Sequence, residues 1–244
     1  MSPSQQSFVR TLIDQAAAPY KPVGRYAWHF ARGKLGGDPA FAALLARGLL
    51  TGRGRVLDIG SGQGLLAAWL LTAQKSAQEG QWPKDWPDAP ATTTVHGIEL
   101  MQYEVDRANH ALKAAVDEGR ASFIAADMRE ADFGKVDAVV ILDVLHYVPV
   151  AEQQRVLRRV RDSLERGGVL LLRVGDRAGG LRFKISYWVD AVVTTLRGHR
   201  LTRLHCRTLA EWQDALRVLG FDVQVQPMSE GTPFANVMLV ARVP

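Results

Sequence analysis

The sequence encodes an α/β protein: a doubly wound, mostly parallel seven-stranded sheet preceded by a helical extension. Short apolar strand patterns alternate with helical ones from Arg55 onward, which calls for parallel strands joined by crossover helices. A glycine-rich turn, Gly60-Ser61-Gly62-Gln63-Gly64, separates the first strand from an apolar helix. Asp58, Glu99, Asp127 and Asp143 fall at the ends of four successive strand patterns, where an open parallel sheet binds its ligands. With 244 residues, 47% of them hydrophobic, the chain suits one substantial domain better than two.

Two helical stretches precede the sheet. The first covers Gln5 to Ala18. The second, Ala40 to Leu50, is opened by Asp38 as cap and Pro39 at the first helical position. Between them Tyr20 to Gly37 gathers aromatic and basic residues (Tyr20, Tyr26, Trp28, His29, Phe30, Arg32, Lys34), suited either to covering a ligand or to packing helices on the sheet. Residues 1–52 are therefore read as a helical segment over the site and 53–244 as one globular unit.

Val56 to Ile59 is a buried strand, and Leu65 to Leu70 opens the helix after the turn. Lys75 to Thr94, with Trp82, Pro83, Trp86, Pro87 and Pro90, reads as a surface loop whose tryptophans pack locally. It holds Asp58 and Glu99 about twice as far apart as in a compact βαβ unit. His96 to Ile98 is the second strand. Met101 to Val116 carries Val105, Ala108, Leu112 and Val116 on one helical face and stops at Gly119. Strands Ser122–Ala126 and Val136–Leu142 follow. The helix Ala151–Arg166 buries Val156, Leu157, Val160 and Leu164, leaving Arg155, Arg158, Arg159 and Arg161 as a solvated face. After strand Val169–Val174, Leu181 to Leu196 repeats apolar residues at helical spacing between basic ends. A core helix, a lid, a homodimer face and a membrane-surface helix all fit that pattern. Thr208 with Glu211 forms a capping box, Gly220 closes that helix, and Phe221–Val225 and Asn236–Val243 are the last strands.

The glycine turn carries the most chemistry. Its glycines let the backbone bend sharply and let a ligand lie against bare main chain at a helix N-terminus. Asp58, two residues before Gly60, would repel a pyrophosphate and attract an ammonium group. The order G-x-G-x-G also differs from the dinucleotide fingerprint G-x-G-x-x-G. A cationic nucleoside bearing an amino acid fits better than a dinucleotide. This turn, with the acids that follow it in order, resembles the class I S-adenosylmethionine-dependent methyltransferases over roughly Arg53 to Arg242. The resemblance implies their Rossmann-like fold, S-adenosylmethionine as cofactor and S-adenosylhomocysteine as product. Asp58, partly through water, and the amides of Gly60, Ser61, Gly62, Gln63 and Gly64 would then hold the methionine end. Glu99 would take both ribose hydroxyls, Leu100 and Met101 would pack on adenine, Asp127 would accept from its amino group, and Met128 would cover the ring. Asp143 would face cofactor and acceptor. The plain alternative for each acid is a cap on the following helix.

Asp143-Val144-Leu145-His146-Tyr147 resembles the aspartate-x-leucine-histidine-x stretch of many small-molecule methyltransferases, and lacks the Asn/Asp-Pro-Pro-aromatic signature of adenine- and glutamine-methylating relatives. His146 is the candidate general base, its ordinary pKa lying near neutrality, with Asp143 as the second catalytic candidate; a histidine that merely ties the loop is the competing reading. Trp28, His29, Tyr147 and Trp188 are candidates for an acceptor pocket. A small organic acceptor follows, with an aromatic one favoured and a phenol as one form of it. A faint similarity of Gly24–Phe41 to methyltransferases of bacterial aryl-polyene pathways adds a carrier-tethered acceptor. The rivals are an RNA or protein methyltransferase and a non-catalytic cofactor-binding partner subunit.

The net charge of +5 is spread over the chain without a basic run interleaved with aromatics, which disfavours nucleic acid. His96, His110, His199 and His205 show no ligand spacing with acids or with the lone Cys206, so no metal is expected. One cysteine, a polar Met1–Arg10 and the lack of an apolar run of membrane-spanning length point to the cytoplasm.

Overall fold

The computed structural model describes residues 1–175, 204–228 and 236–244. The Leu181–Leu196 pattern, and Trp188 with it, lies outside them. Among the described residues seven strands form one sheet in the order β3-β2-β1-β4-β5-β7-β6. They are β1 (Arg55–Ile59), β2 (Thr94–Glu99), β3 (Ala121–Ala125), β4 (Val136–Leu142), β5 (Leu164–Gly175), β6 (Asp222–Pro227) and β7 (Asn236–Arg242). The order runs outward from β1 to β3 on one side and from β4 on the other, which makes β1 a strand of the topological switch point. Contacts group the chain into two compact units, 1–132 with 136–138 and 133–135 with 139–244.

The first unit holds β1, β2 and β3 in parallel register, Asp58 opposite Gly97 and Glu99 opposite Ala125. Helix α1 (Pro3–Ala17) starts where Ser2 and Gln5 form a capping box with Pro3 in the first turn. The aromatic and basic stretch is itself helical, α2 (Arg25–Gly37), with Ala27, Ala31 and Leu35 buried. Asp38 caps α3 (Pro39–Ala46) by accepting from the Ala40 amide at 3.0 Å, and this helix ends four residues before the expected Leu50 in a turn through Gly48. Helix α4 (Leu65–Gln78) is buried on nearly all sides in its first two turns. Trp69 shows why: its ring is fully enclosed and its indole N–H reaches the Phe41 carbonyl at 2.8 Å, so burial leaves no donor unpaired.

The loop after α4 packs locally, as expected. Phe8, Trp82 and Trp86 meet edge to face with centroids 5.5–5.6 Å apart, and the Trp82 indole donates to the Pro87 carbonyl. The single helix expected over Met101–Val116 is instead two, α5 (Gln102–Ala111) and α6 (Lys113–Asp117), broken where Leu112 leaves helical geometry (φ −103, ψ 24). Asp137, at the start of β4, takes the Arg55 amide and guanidinium at 2.8 and 2.7 Å. That arginine holds its carboxyl below the ordinary range.

The second unit is built on the antiparallel ladder of β5, β7 and β6, with Val169 opposite Arg242 and Asp222 opposite the same residue. Helix α7 (Val150–Ser163) buries Val156, Leu157 and Val160. Its arginines depart from a purely solvated face. The Arg159 guanidinium lies 4.4 Å from the Phe133 ring centroid and that of Arg161 5.8 Å from Phe221, within cation–π range. Helix α8 (Leu209–Val218) begins at the Thr208–Glu211 capping box, and Gly220 follows it at φ 81.

Candidate functional site

The β1–α4 turn has left-handed glycines at 60, 62 and 64. At Gly62 (φ 52) no atom lies within 4 Å of where a Cβ would be, so this stretch presents bare backbone to a ligand. At Gly64 (φ 79) a Cβ would come within 2.8 Å of the Phe123 ring. The Gly60 and Ser61 amides donate to the Ile98 carbonyl at 2.8 and 3.1 Å, binding the turn to the end of β2.

Glu99 is the second tie. Its Oε2 accepts from the Gly62 amide at 2.9 Å and its Oε1 from the Met101 amide at 3.1 Å. A carboxylate has about four lone-pair sites, so each oxygen keeps capacity for another hydroxyl. Asp58 is buried beside it. Burial first, and the Glu99 charge second, push its carboxyl up to about 7.

Two residues at this turn escaped sequence reasoning as site residues. The buried Tyr20 hydroxyl donates to the Gln63 carbonyl at 2.8 Å, and the Gln63 amide donates in return to the Ala27 carbonyl at 3.0 Å. The Tyr20 hydroxyl is pushed far above its ordinary pKa by burial and by the charges of Asp58 and Glu104, so it stays a donor. Glu104, on the first turn of α5, is buried with one oxygen 3.2 Å from Arg107. That guanidinium lies between the Tyr26 and Tyr103 rings, 5.2 and 5.1 Å from their centroids. An acid on an otherwise regular helix gave no signal in the sequence.

The buried atoms of this unit fit a cationic, amino-acid-bearing ligand. Ser61 Oγ, Gln63 Oε1 and Glu104 Oε2 are buried and have no hydrogen-bond partner among the described residues. A buried acceptor without a donor is costly, and an ammonium group supplies donors and also relieves the raised Asp58 carboxyl.

The remaining sequence candidates are distributed as follows. Leu100 is exposed. Asp127 is held by Arg129, whose backbone amide and guanidinium it accepts at 2.9 and 3.0 Å. Those bonds keep its carboxyl below the ordinary range, an arrangement close to the capping alternative. Trp28 and His29 sit on α2 with ring centroids 4.6 Å apart, and Lys21 lies 5.5 Å from the Trp28 ring.

In the second unit, Asp143 adopts a left-handed backbone (φ 58), uncommon outside glycine. The Arg173 guanidinium grips both of its carboxylate oxygens, Nε to Oδ1 at 3.0 Å and Nη2 to Oδ2. Arg173 is almost fully buried in β5. His146 lies in the 3-10 turn Leu145–Tyr147 that follows, its ring 4.4 Å from that of Tyr147. Burial lowers its pKa, with the Asp143 charge opposing, so the imidazole is neutral at neutral pH. Among the described residues no His, Cys, Asp and Glu group could hold a metal ion, and no helix is long and apolar enough to cross a membrane.

A model of the methyltransferase domain matches residues 57–170. Among curated proteins the chain is similar to the carboxy-S-adenosyl-L-methionine synthase of Chromohalobacter salexigens, 29% identical over 83 residues, or 34% of this chain and 31% of that protein. The match thus spans about a third of that relative's length. Among solved structures, an O-methyltransferase family protein from Burkholderia thailandensis superposes with a TM-score of 0.63 at 18% identity, covering 90% of this chain and 59% of that one. The magnesium protoporphyrin IX methyltransferase of Synechocystis PCC 6803 with bound S-adenosylhomocysteine gives 0.56 at 22% identity, covering 83% and 80%. Residues 57–170 thus carry a methyltransferase domain, and the glycine cradle with its buried acceptors fits S-adenosylmethionine as its cofactor.

Proposed function

We propose that this protein transfers a methyl group to a small organic acceptor, a phenolic hydroxyl being the favoured target, with His146 as general base. The observation that carries the reading is the buried His146 ring, whose lowered pKa leaves it uncharged and able to accept a proton at neutral pH. Bound S-adenosylmethionine supplies a methyl group activated by its sulfonium, and in-line displacement asks the protein chiefly for alignment and exclusion of water.

Asp58 and the orphaned Ser61 and Gln63 oxygens hold the methionine end, and Glu99 accepts the ribose hydroxyls while keeping its bonds to Gly62 and Met101. Leu100, Met101 and Met128 pack on the adenine, with Asp127 at its amino group. His146 takes the phenol proton. Asp143, clamped by Arg173, acts as the fixed charge that favours the resulting imidazolium and does not itself take the proton. Tyr147, beside His146, is the candidate acceptor contact of the second unit, and Trp28 and His29 are those of the first.

The test pairs cofactor binding with turnover on a panel of phenols, amines and carboxylic acids. His146→Ala should keep wild-type affinity for S-adenosylhomocysteine and slow methylation of the best phenol by about 10²-fold. An unchanged rate rejects the base. Turnover of amines or carboxylic acids alone rejects the phenolic acceptor.

A further inference from the structure

The His146 turn is held by a buried polar arrangement that the reaction itself does not use. Gln153, on the first turn of α7, is completely buried. Its Nε2 donates to the Val148 carbonyl at 3.1 Å and to the His205 carbonyl at 2.7 Å, while its Oε1 accepts from Arg207 Nε at 2.7 Å. Arg207 is also buried. Its Nη2 donates to the Val150 carbonyl at 2.9 Å and its guanidinium lies 4.9 Å from the centroid of the enclosed Trp212 ring. The stretch His205–Arg207 closes the circuit where the His205 amide donates to the His146 carbonyl at 2.8 Å. The backbone of the turn is thus gripped at residues 146, 148 and 150, in each case by Gln153, Arg207 or the stretch they pin.

We propose that Gln153 and Arg207 are positioning residues for His146, a two-residue staple that fixes the turn carrying the base. The inference rests on the reading of His146 as that base. The chemistry is specific to these side chains. Only an uncharged amide offers two donors for two carbonyls and one acceptor for a guanidinium. Only arginine can give Nε to that acceptor and Nη2 to a carbonyl while its flat face covers a tryptophan. A buried network with its bonds made rigidifies its surroundings, and one with a member missing loosens them. The backbone bonds within the turn are long, Tyr147 N to Val144 O at 3.2 Å and Val148 N to Leu145 O at 3.4 Å. Its geometry therefore depends on what is attached from outside. Among the described residues, Asp143, paired with Arg173, acts on the imidazole charge, Tyr147 lies beside the ring, and His205, Cys206 and Arg207 lie on the stretch bonded to the turn.

The test leaves all of those charges in place. The imidazole of His146 is titrated by NMR, its signal assigned by its loss in His146→Gln. The same titration is then run in Gln153→Met, which keeps size and neutrality but removes the bonds, and in Arg207→Lys, which keeps the charge but cannot fork. Loosening the turn admits water to the ring. Its titration midpoint should therefore rise toward the ordinary histidine value by roughly half a pH unit in both variants. The affinity for S-adenosylhomocysteine should stay within about twofold of wild type, since neither residue belongs to the glycine cradle. If Gln153→Met does not fold, Arg207→Lys carries the test alone. A wild-type midpoint in a folded variant overturns the staple, as does an equal loss of S-adenosylhomocysteine affinity. A raised midpoint together with an unchanged methylation rate in His146→Ala upholds the staple and removes the base, so the two failures are told apart.

Discussion

Asp58 shows how one buried carboxyl couples ligand binding to pH. Its pKa of about 7 in the folded protein lies above the unfolded value of 3.8, so the folded state holds the extra proton between those limits. Asp58 therefore opposes stability progressively as the pH rises from about 4 to 7. A ligand ammonium reverses that preference by stabilising the carboxylate. Binding of S-adenosylhomocysteine at pH 6 should accordingly release close to one proton, and at pH 8 almost none. Calorimetry at each pH in two buffers of different ionisation enthalpy reads the number directly. No release at pH 6 would remove Asp58 from the ammonium site. Glu99 acts differently, because it already closes two backbone bonds. Glu99→Ala should weaken S-adenosylhomocysteine by at least roughly 1 to 3 kcal/mol, since it abandons the ribose hydroxyls and orphans the Gly62 and Met101 amides. Unchanged affinity would reject the ribose assignment.

Among elements, the N-terminal helices extend the cradle inward. Tyr20 and Ala27 grip Gln63 from opposite sides, so the glycine turn takes its shape partly from residues some forty positions earlier. Tyr20→Phe should destabilise the protein by roughly 1 to 3 kcal/mol, the cost of an orphaned buried carbonyl, and should also weaken S-adenosylhomocysteine. Thermal unfolding and calorimetry on one preparation separate the two effects, and a loss of stability with unaltered affinity would make Tyr20 purely structural. This latch also marks the boundary of what the sequence conveys. Asp58, the glycines and Glu99 were legible because a tight turn and strand-end acids leave a local pattern. Tyr20 and Gln63 were not identified as partners, since a long-range hydrogen bond leaves none. Arg173 offered a usable hint: an arginine inside the run Val169–Val174 must be buried, and a buried cation needs an acid. That acid is Asp143, which forms a forked ion pair with it. The break at Leu112 was hidden because its apolar side chain continues the helical period while its backbone departs from it.

Across the whole molecule, the strand order and the matched domain agree with the sequence reading, but the two compact units carry different parts of the chemistry. The residues proposed to cradle the cofactor, from Asp58 to Met128, belong to the first, and Asp143, His146 and the proposed staple belong to the second. That division predicts where ligand binding is felt. S-adenosylhomocysteine at about 100 times its dissociation constant should add roughly 2.7 kcal/mol to the unfolding free energy. In native-state hydrogen exchange the slowing should concentrate at the amides of residues 60–64 and 99–101, whose bonds to Ile98, Ser61 and Glu99 should open less often once the ligand is bound. The β6–β7 ladder, paired from Asp222 to Pro227 at the sheet edge and holding none of the residues proposed to cradle the cofactor, should exchange at its unliganded rate wherever exchange proceeds by local opening. Protection at that ladder without protection at the glycine turn would place the ligand elsewhere and overturn the assignment of the cradle.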